Sequence, residues 1–332
     1  MPAIITDQIR VLNASNFVSG IGNANNSFYV FIGLPNATEV ATDWNTSTPD
    51  PVDNFDQHDN IYDTLISAKK INSTDVLRVI KKIAWTSGTI YEMYRHDYSV
   101  SNLTPQTSAS NLYNANYYVM NSDFRVYECI YNGAAPSNSG NGIVSLDEPV
   151  HTDLEPRLES DGYLWKYLYT IKPSDIVKFD SAEYIPVPSD WATSTDVENV
   201  RNNAVDGKIE TVVIEDIANA TYQFAGTKNN VPVRGDGTGA LASVTFIDGK
   251  PSSVQVTNGG SGYSFATLDL DDVVTGSGAR FSVIIPPPGG HGSDIYRELG
   301  ANKVLIYSRI ENSDVTNPDF PTGNQFARIG VV

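Results

Sequence analysis

Tyr163, Trp165, Tyr167, Tyr169 and Ile171 occupy every second position of the run Asp161-Gly162-Tyr163-Leu164-Trp165-Lys166-Tyr167-Leu168-Tyr169-Thr170-Ile171. Side chains alternate between the two faces of a β-strand, so this spacing places four aromatic rings and an isoleucine on one wall. A helix would scatter the same residues around its circumference, and aromatic residues favour strands. Asp161-Gly162 supplies a turn ahead of the strand, and Pro173 ends it. The run predicts a core strand of a mainly β protein.

Elsewhere the pattern alternates short strands with turns and a few helices. Thr6 is placed to cap a short helix with apolar residues at Ile9, Leu12 and Phe17. Phe28-Tyr29-Val30-Phe31-Ile32 reads as a strand ended by Gly33 and Pro35, and 36–57 as a long ordered loop bearing Trp44. Across 59–70, Ile61, Leu65 and Ala68 fall at helical spacing. Val76-Leu77-Arg78-Val79-Ile80 fits a helix or a strand. Strands are expected at 83–86, 90–94, 117–120, 125–131 and 176–179, a long loop at 133–160, and a short helix within 190–203 capped by Thr195 or Asp196.

From 205 to 288 the texture changes to short apolar strands with glycine-rich joints. Gly237-Thr238-Gly239-Ala240 leads into Ser243-Val244-Thr245-Phe246-Ile247, and Thr275-Gly276-Ser277-Gly278-Ala279 into Phe281-Ser282-Val283-Ile284-Ile285, a faint two-copy repeat. The chain returns through Val304-Leu305-Ile306-Tyr307 and Arg328-Ile329-Gly330-Val331-Val332. The expected fold is mainly β with a few helices (α+β): 1–204 and 289–332 form the main β-domain, and 205–288 is an inserted small Gly-rich β-domain.

Charge and motif content narrow the function. At 332 residues with 18 tyrosines, the chain can bury a substantial core. A formal charge of −17 argues against nucleic-acid binding, because such a surface repels phosphates. The basic residues Lys81-Lys82 with Arg78, and Lys69-Lys70, read as solvated edges. Cys129 is the single cysteine, so neither an internal disulfide nor a cysteine-rich metal site is expected; it reads as a small core residue. Met1-Pro2-Ala3-Ile4-Ile5-Thr6 lacks the basic start and apolar stretch of a signal peptide, and no run of about 18 apolar residues suggests a membrane span. Triplets such as Asn36-Ala37-Thr38 and Asn102-Leu103-Thr104 carry no meaning without secretion.

Chemistry-bearing patterns are thin. Gly235-Asp236-Gly237-Thr238-Gly239 lacks the lysine of a phosphate loop and precedes a strand, so it reads as a turn. His58, His96, His151 and His291 are scattered, without a second histidine three or four residues away, so no zinc site is expected. In Arg95-His96-Asp97 the adjacent side chains point to opposite faces of a strand and form no dyad. Asp269, Asp271 and Asp272 lack the glycine and distal glutamate of a calcium loop and read as a solvated turn. No catalytic, cofactor-binding or metal-binding residue is assigned, and no enzyme activity is expected.

The aromatic run, followed by Glu183-Tyr184-Ile185-Pro186-Val187-Pro188, resembles the gene-product-eight type of baseplate wedge protein of T4-like contractile-tailed phages. Weaker echoes are Asp63-Thr64-Leu65 with 76–83 and Trp85-Thr86, Phe124-Arg125-Val126-Tyr127-Glu128-Cys129, and Leu299-Gly300 with 304–312. The run 1–34 and Ile284-Ile285-Pro286-Pro287-Pro288-Gly289-Gly290-His291-Gly292 look most like the cyanophage branch; 205–288 departs from the T4 pattern. The resemblance implies a two-layer β-structure with helices at its ends and a homodimer built into each wedge. It also implies contacts with the other wedge proteins, a place in the virion tail baseplate, and synthesis in the host bacterial cytoplasm. Such a subunit works by protein–protein contacts during assembly and during the rearrangement that accompanies tail contraction. No nucleic acid, membrane insertion or small-molecule substrate is expected. Trp44, Tyr113 and Tyr117 are candidate contact anchors. The alternatives are a carbohydrate- or receptor-binding tail protein using the 205–288 module, and a polysaccharide-degrading tail enzyme.

Overall fold

The computed structural model describes residues 6–33, 58–271, 273–310 and 328–332. The expected loop at 36–57, with Trp44, lies outside them. The described chain is mainly β with a few helices, and it forms two compact units, Met1–Val79 with Asn302–Val332, and Ile80–Ala301.

In the first unit, helix Asp7–Gly22 starts at Thr6, whose hydroxyl accepts the Ile9 N–H. The helix buries Val11, Ala14 and Ile21, while Ile9 and Leu12 are exposed. The helical period is as expected, but the apolar stripe runs in a different phase: 11, 14, 18 and 21 also follow the three-and-four spacing. Strand Tyr29–Gly33 lies between Arg328–Val331 and Leu65–Lys70, antiparallel to both. The helix expected across 59–70 is therefore shorter: it covers His58–Asp63 and gives way to strand, since Leu65 to Ala68 pair with Gly33 to Phe31. Strand Val76–Lys81 settles the ambiguous segment and pairs with Lys303–Ile306. Ile21, Val30, Ile71 and Val76 form the small core.

In the second unit the aromatic run becomes strand Leu164–Thr170, central in a four-stranded antiparallel sheet. Arg125–Tyr131 and then Tyr118–Met120 lie on one side, and Arg157–Leu158 forms the outer strand on the other. The pairing shifts within this strand. Tyr127 faces Tyr167, but Val126 faces Tyr169, so Leu168 is the extra residue of a β-bulge. A one-residue shift exchanges faces. Trp165 and Tyr167 accordingly lie with Cys129 and Tyr127, whereas Lys166 and Tyr169 lie with Glu128 and Val126. The single aromatic wall is thus split in two, and both halves are buried: Trp165, Lys166, Leu168 and Tyr169 are all 1% exposed or less. Tyr163 stacks on Trp165 at 5.3 Å and Tyr91 meets it edge-on at 5.8 Å, while Tyr169 packs against Trp191.

Three local expectations change here. Segments 83–86 and 90–94 are extended but irregular and form no strand; the first touches the sheet only through an isolated bridge from Ala84 to Met120. Pro173 begins helix Pro173–Phe179 where a strand was expected, using proline's preference for a first helical turn. Helix Glu198–Asn203 starts after Val197, without the side-chain cap expected from Thr195 or Asp196.

The Gly-rich segment lies in this second unit. Strands Lys250–Ser261, Thr238–Ile247, Gly226–Gly235 and Ala266–Leu268 form one antiparallel sheet in that order, over a core containing Val231, Ala242, Val244, Phe246 and Leu270. The second copy of the glycine repeat is shorter, giving Gly276–Ser277 and Arg280–Val283. Gly276 and Gly278 have φ of 138° and 101°, and a Cβ at either would meet backbone within 2.3 Å, so both joints require glycine. Strand Val212–Asp216 pairs with Arg280–Val283, which brings Asp216 opposite Arg280. Alternate residues of this pair serve different cores: Val212 and Val283 join the Gly-rich core, Val213 and Ile284 the aromatic one.

Two outcomes follow. Trp165→Ala is expected to cost about 3–5 kcal/mol, giving insoluble protein or a sharply lowered melting temperature; an unchanged melting temperature would show that the strand is not core. Replacing 217–279 by a short Gly-Ser linker between Asp216 and Arg280, which already face each other, is expected to leave one cooperative unfolding transition for the remainder, measured by calorimetry. Loss of that transition would mean the Gly-rich segment is no separable module.

Candidate functional site

Three separate elements converge on a buried polar cluster. Glu128 comes from strand Arg125–Tyr131, where it lies between Tyr118 and Lys166 of the neighbouring strands. His291 comes from the tight turns after Pro287, closed by Gly290 N–H to Pro287 O and Ser293 N–H to Gly290 O. Glu298 ends the short helix Ile295–Glu298, capped by the Asp294 carboxylate, which accepts the Tyr296 and Arg297 N–H groups. His291 Nδ1 lies 2.8 Å from Glu298 Oε1 and 2.8 Å from Glu128 Oε2. The Nδ1 nitrogen hydrogen-bonds Glu298 Oε1 and stands at the same distance from Glu128 Oε2, so the two carboxyl groups share one imidazole nitrogen. The three residues are 0%, 5% and 2% exposed in chain order.

The surroundings hold this geometry. Gly292 N–H donates to Glu298 Oε2 at 2.8 Å, leaving Oε1 toward the imidazole. The Tyr117 hydroxyl donates to the Glu298 carbonyl at 2.5 Å, and the Tyr94 ring meets the imidazole edge-on at 4.6 Å. Burial pushes the Glu128 carboxyl well up, and the neighbouring Glu298 charge adds to this. Burial alone would depress His291, but the two glutamates lift it to about 10. Burial also works against the Glu298 charge, yet the hydrogen bond from His291 holds that carboxyl low.

A second buried ion pair lies beside it. Lys166 Nζ is 3.4 Å from Glu210 Oε1 and donates to the Leu154 carbonyl at 3.2 Å. Glu210, Thr211, Tyr94, Ile130 and Ile284 surround a small void against His291.

On the surface of the same unit an open groove of about 970 Å³ runs between two β edges. Arg157–Leu158 is the outer strand of the aromatic sheet, and Lys250–Ser261 is the outer strand of the Gly-rich sheet. Tyr131, Leu164, Val254 and Val256 give the floor apolar character, Leu158 is exposed, and Lys208 pairs with Glu155 at 2.5 Å.

The residues singled out in the sequence take structural roles. His96 Nδ1 accepts the Ile285 N–H; His151 Nδ1 accepts the Asp153 N–H, and its burial lowers its pKa. His58 lies in helix His58–Asp63. Arg95 grips Asp97 with two hydrogen bonds of 2.8 and 2.9 Å and reaches Glu215, a clasp rather than a dyad. Asp236 closes its turn by accepting from Ser264 and from the Phe265 N–H. Asp269 accepts the Asp271 N–H, and Asp272 lies outside the described residues. Cys129 is buried. Lys69 donates to the Arg309 carbonyl, Arg78 to Ser15, Lys81 to Asn116, and Lys82 pairs with Asp180. Among the candidate anchors, Tyr117 is fully buried and Tyr113 donates to the Arg297 carbonyl, so both act as internal staples.

The sequence reading missed the convergence of Glu128, His291 and Glu298. One signal was present: Glu128 interrupts the run Val126-Tyr127-Glu128-Cys129-Ile130, where every neighbour is apolar and both faces are buried. A scan of protein-family models gives no match to this chain, and no curated protein matches it either.

Lys166→Met leaves Glu210 without its closest cation and is expected to destabilise the chain by about 3 kcal/mol or more in denaturant titrations. Adding Glu210→Gln is expected to restore most of that loss; full additivity of the two changes would show that they do not form a functional pair.

Proposed function

We propose that this chain is a structural subunit of the baseplate wedge of a T4-like contractile-tailed phage, acting through protein–protein contacts. The observation that carries this reading is the wording of the segment 161–171 together with Glu183-Tyr184-Ile185-Pro186-Val187-Pro188. The fold supports it: the same residues supply the central strand and much of the aromatic core, so the resembling words fall where a fold is specified. The groove supports it as well. Two outer strands flank an apolar floor, and an extended segment of a neighbouring wedge protein could add to either edge through main-chain hydrogen bonds. In this reading the chain is a homodimer in the virion tail, made in the bacterial cytoplasm, and its acidic surface keeps the free subunit soluble. For the sugar- or receptor-binding alternative, the Gly-rich segment offers one exposed aromatic side chain among the described residues, Phe265, where a stacking platform needs several.

Assembly tests the reading. Purified chain is expected to sediment as a dimer, to enter a wedge complex with its neighbours without added nucleotide, and to appear in fixed stoichiometry with tail proteins in purified virions. Leu158→Lys combined with Gln255→Lys, two exposed positions on the groove's edges, is expected to reduce wedge assembly tenfold or more at an unchanged melting temperature. A strictly monomeric chain absent from virions would sink the reading; normal assembly of the double variant would remove the groove from it.

A further inference from the structure

We propose that Glu128, His291 and Glu298 form a buried binding site for one divalent first-row transition ion, with Zn²⁺ as its probe. The inference rests on geometry and does not depend on the baseplate reading. One donor atom from each residue lies within 4.8 Å of the other two, and the three come from a strand, a glycine-rich turn and a helix end. An ion bonded at about 2.0–2.1 Å holds its donors roughly 3 Å apart. The 2.8 Å separations of Nδ1 from both carboxylates need only a small side-chain rotation to reach that spacing. Mixed imidazole and carboxylate donors suit Zn²⁺ and its neighbours better than Ca²⁺ or Mg²⁺, which prefer oxygen alone.

Glu128 is the second, independent observation. A fully buried carboxyl group that shares one imidazole nitrogen with a second buried carboxyl group is costly to bury. A dication placed between it and His291 satisfies that carboxylate directly. Two carboxylates and a neutral imidazole also balance the ion's charge inside the core. The outer partners match what metal sites use: a backbone N–H orients Glu298, and an aromatic ring restrains the imidazole. Bound there, the ion would fasten the return of the chain after the Gly-rich segment to the central sheet.

The full chain, purified without a histidine tag and without chelators, is assayed for metal by mass spectrometry. It is then stripped with a strong chelator and titrated with Zn²⁺ by calorimetry and thermal melting. The expected result is one ion per chain, with the melting temperature raised by roughly 5 °C at saturation. Glu128→Gln and Glu298→Gln, which keep size but lose the anionic donor, are expected to weaken binding at least 100-fold, while His96→Ala and His151→Ala leave it unchanged. Should the glutamine variants fail to fold, anomalous diffraction at the zinc edge on wild-type crystals still decides, since the ion must lie among the three side chains. Folded wild-type protein that takes up no ion, or an ion found elsewhere, would overturn the proposal and leave the cluster joined by protons alone.

Discussion

The bulge at Leu168 decides how this fold is put together. Without it, Tyr163, Trp165, Tyr167 and Tyr169 would crowd one face of their strand, and the other face would carry Leu164, Lys166 and Leu168. With it, Trp165 and Tyr167 pack with Tyr91 and Tyr127, while Tyr169 turns to Trp191 and shares its face with Lys166 and Glu128. Aromatic packing is thereby available to both layers around the sheet. The face that carries Tyr169 also receives the two charged residues whose partners, Glu210 and His291, arrive from later in the chain.

Much of this was legible in the sequence, for identifiable reasons. Period-two aromatics marked the central strand, and Asp161-Gly162 and the Gly-x-Gly joints marked its surroundings, because glycine at positive φ is a local requirement. Leu65 and Ala68 were misread because three apolar residues at helical spacing are weak evidence over so short a run, and the strand that takes two of them does not alternate: its first three residues are half-buried and its last three exposed. The bulge was invisible because it depends on the register with Arg125–Tyr131, a property of two strands and not of one. The phase of helix Asp7–Gly22 escaped for a similar reason: only its neighbours determine which of two apolar stripes is buried.

The candidate site was the least legible part. Residues 128, 291 and 298 are separated by more than 160 positions at one end and by seven at the other, and no local spacing rule joins them. What reveals them is burial. A carboxylate in a strand covered on both faces must find a proton, a cation or a metal, and here the chain delivers an imidazole and a second carboxylate to the same place. The Gly-Gly-His-Gly wording, which carried only the resemblance, is what lets backbone turn tightly enough to bring His291 there.

The pair Val212–Asp216 and Arg280–Val283 has a further consequence, for sequence drift. Val213 and Ile284 are committed to the aromatic core, yet nothing between Asp216 and Arg280 is. The pair behaves as a socket whose rim is fixed and whose cargo is free. Gly259, Gly262 and Tyr263 hold the backbone of residues 206–209; away from those points, residues in the cargo answer to their own small core, so length and wording can change at little cost to the body of the protein. A chain built this way can exchange what it displays at the groove's far edge, Lys250–Ser261, while keeping the machinery that folds it.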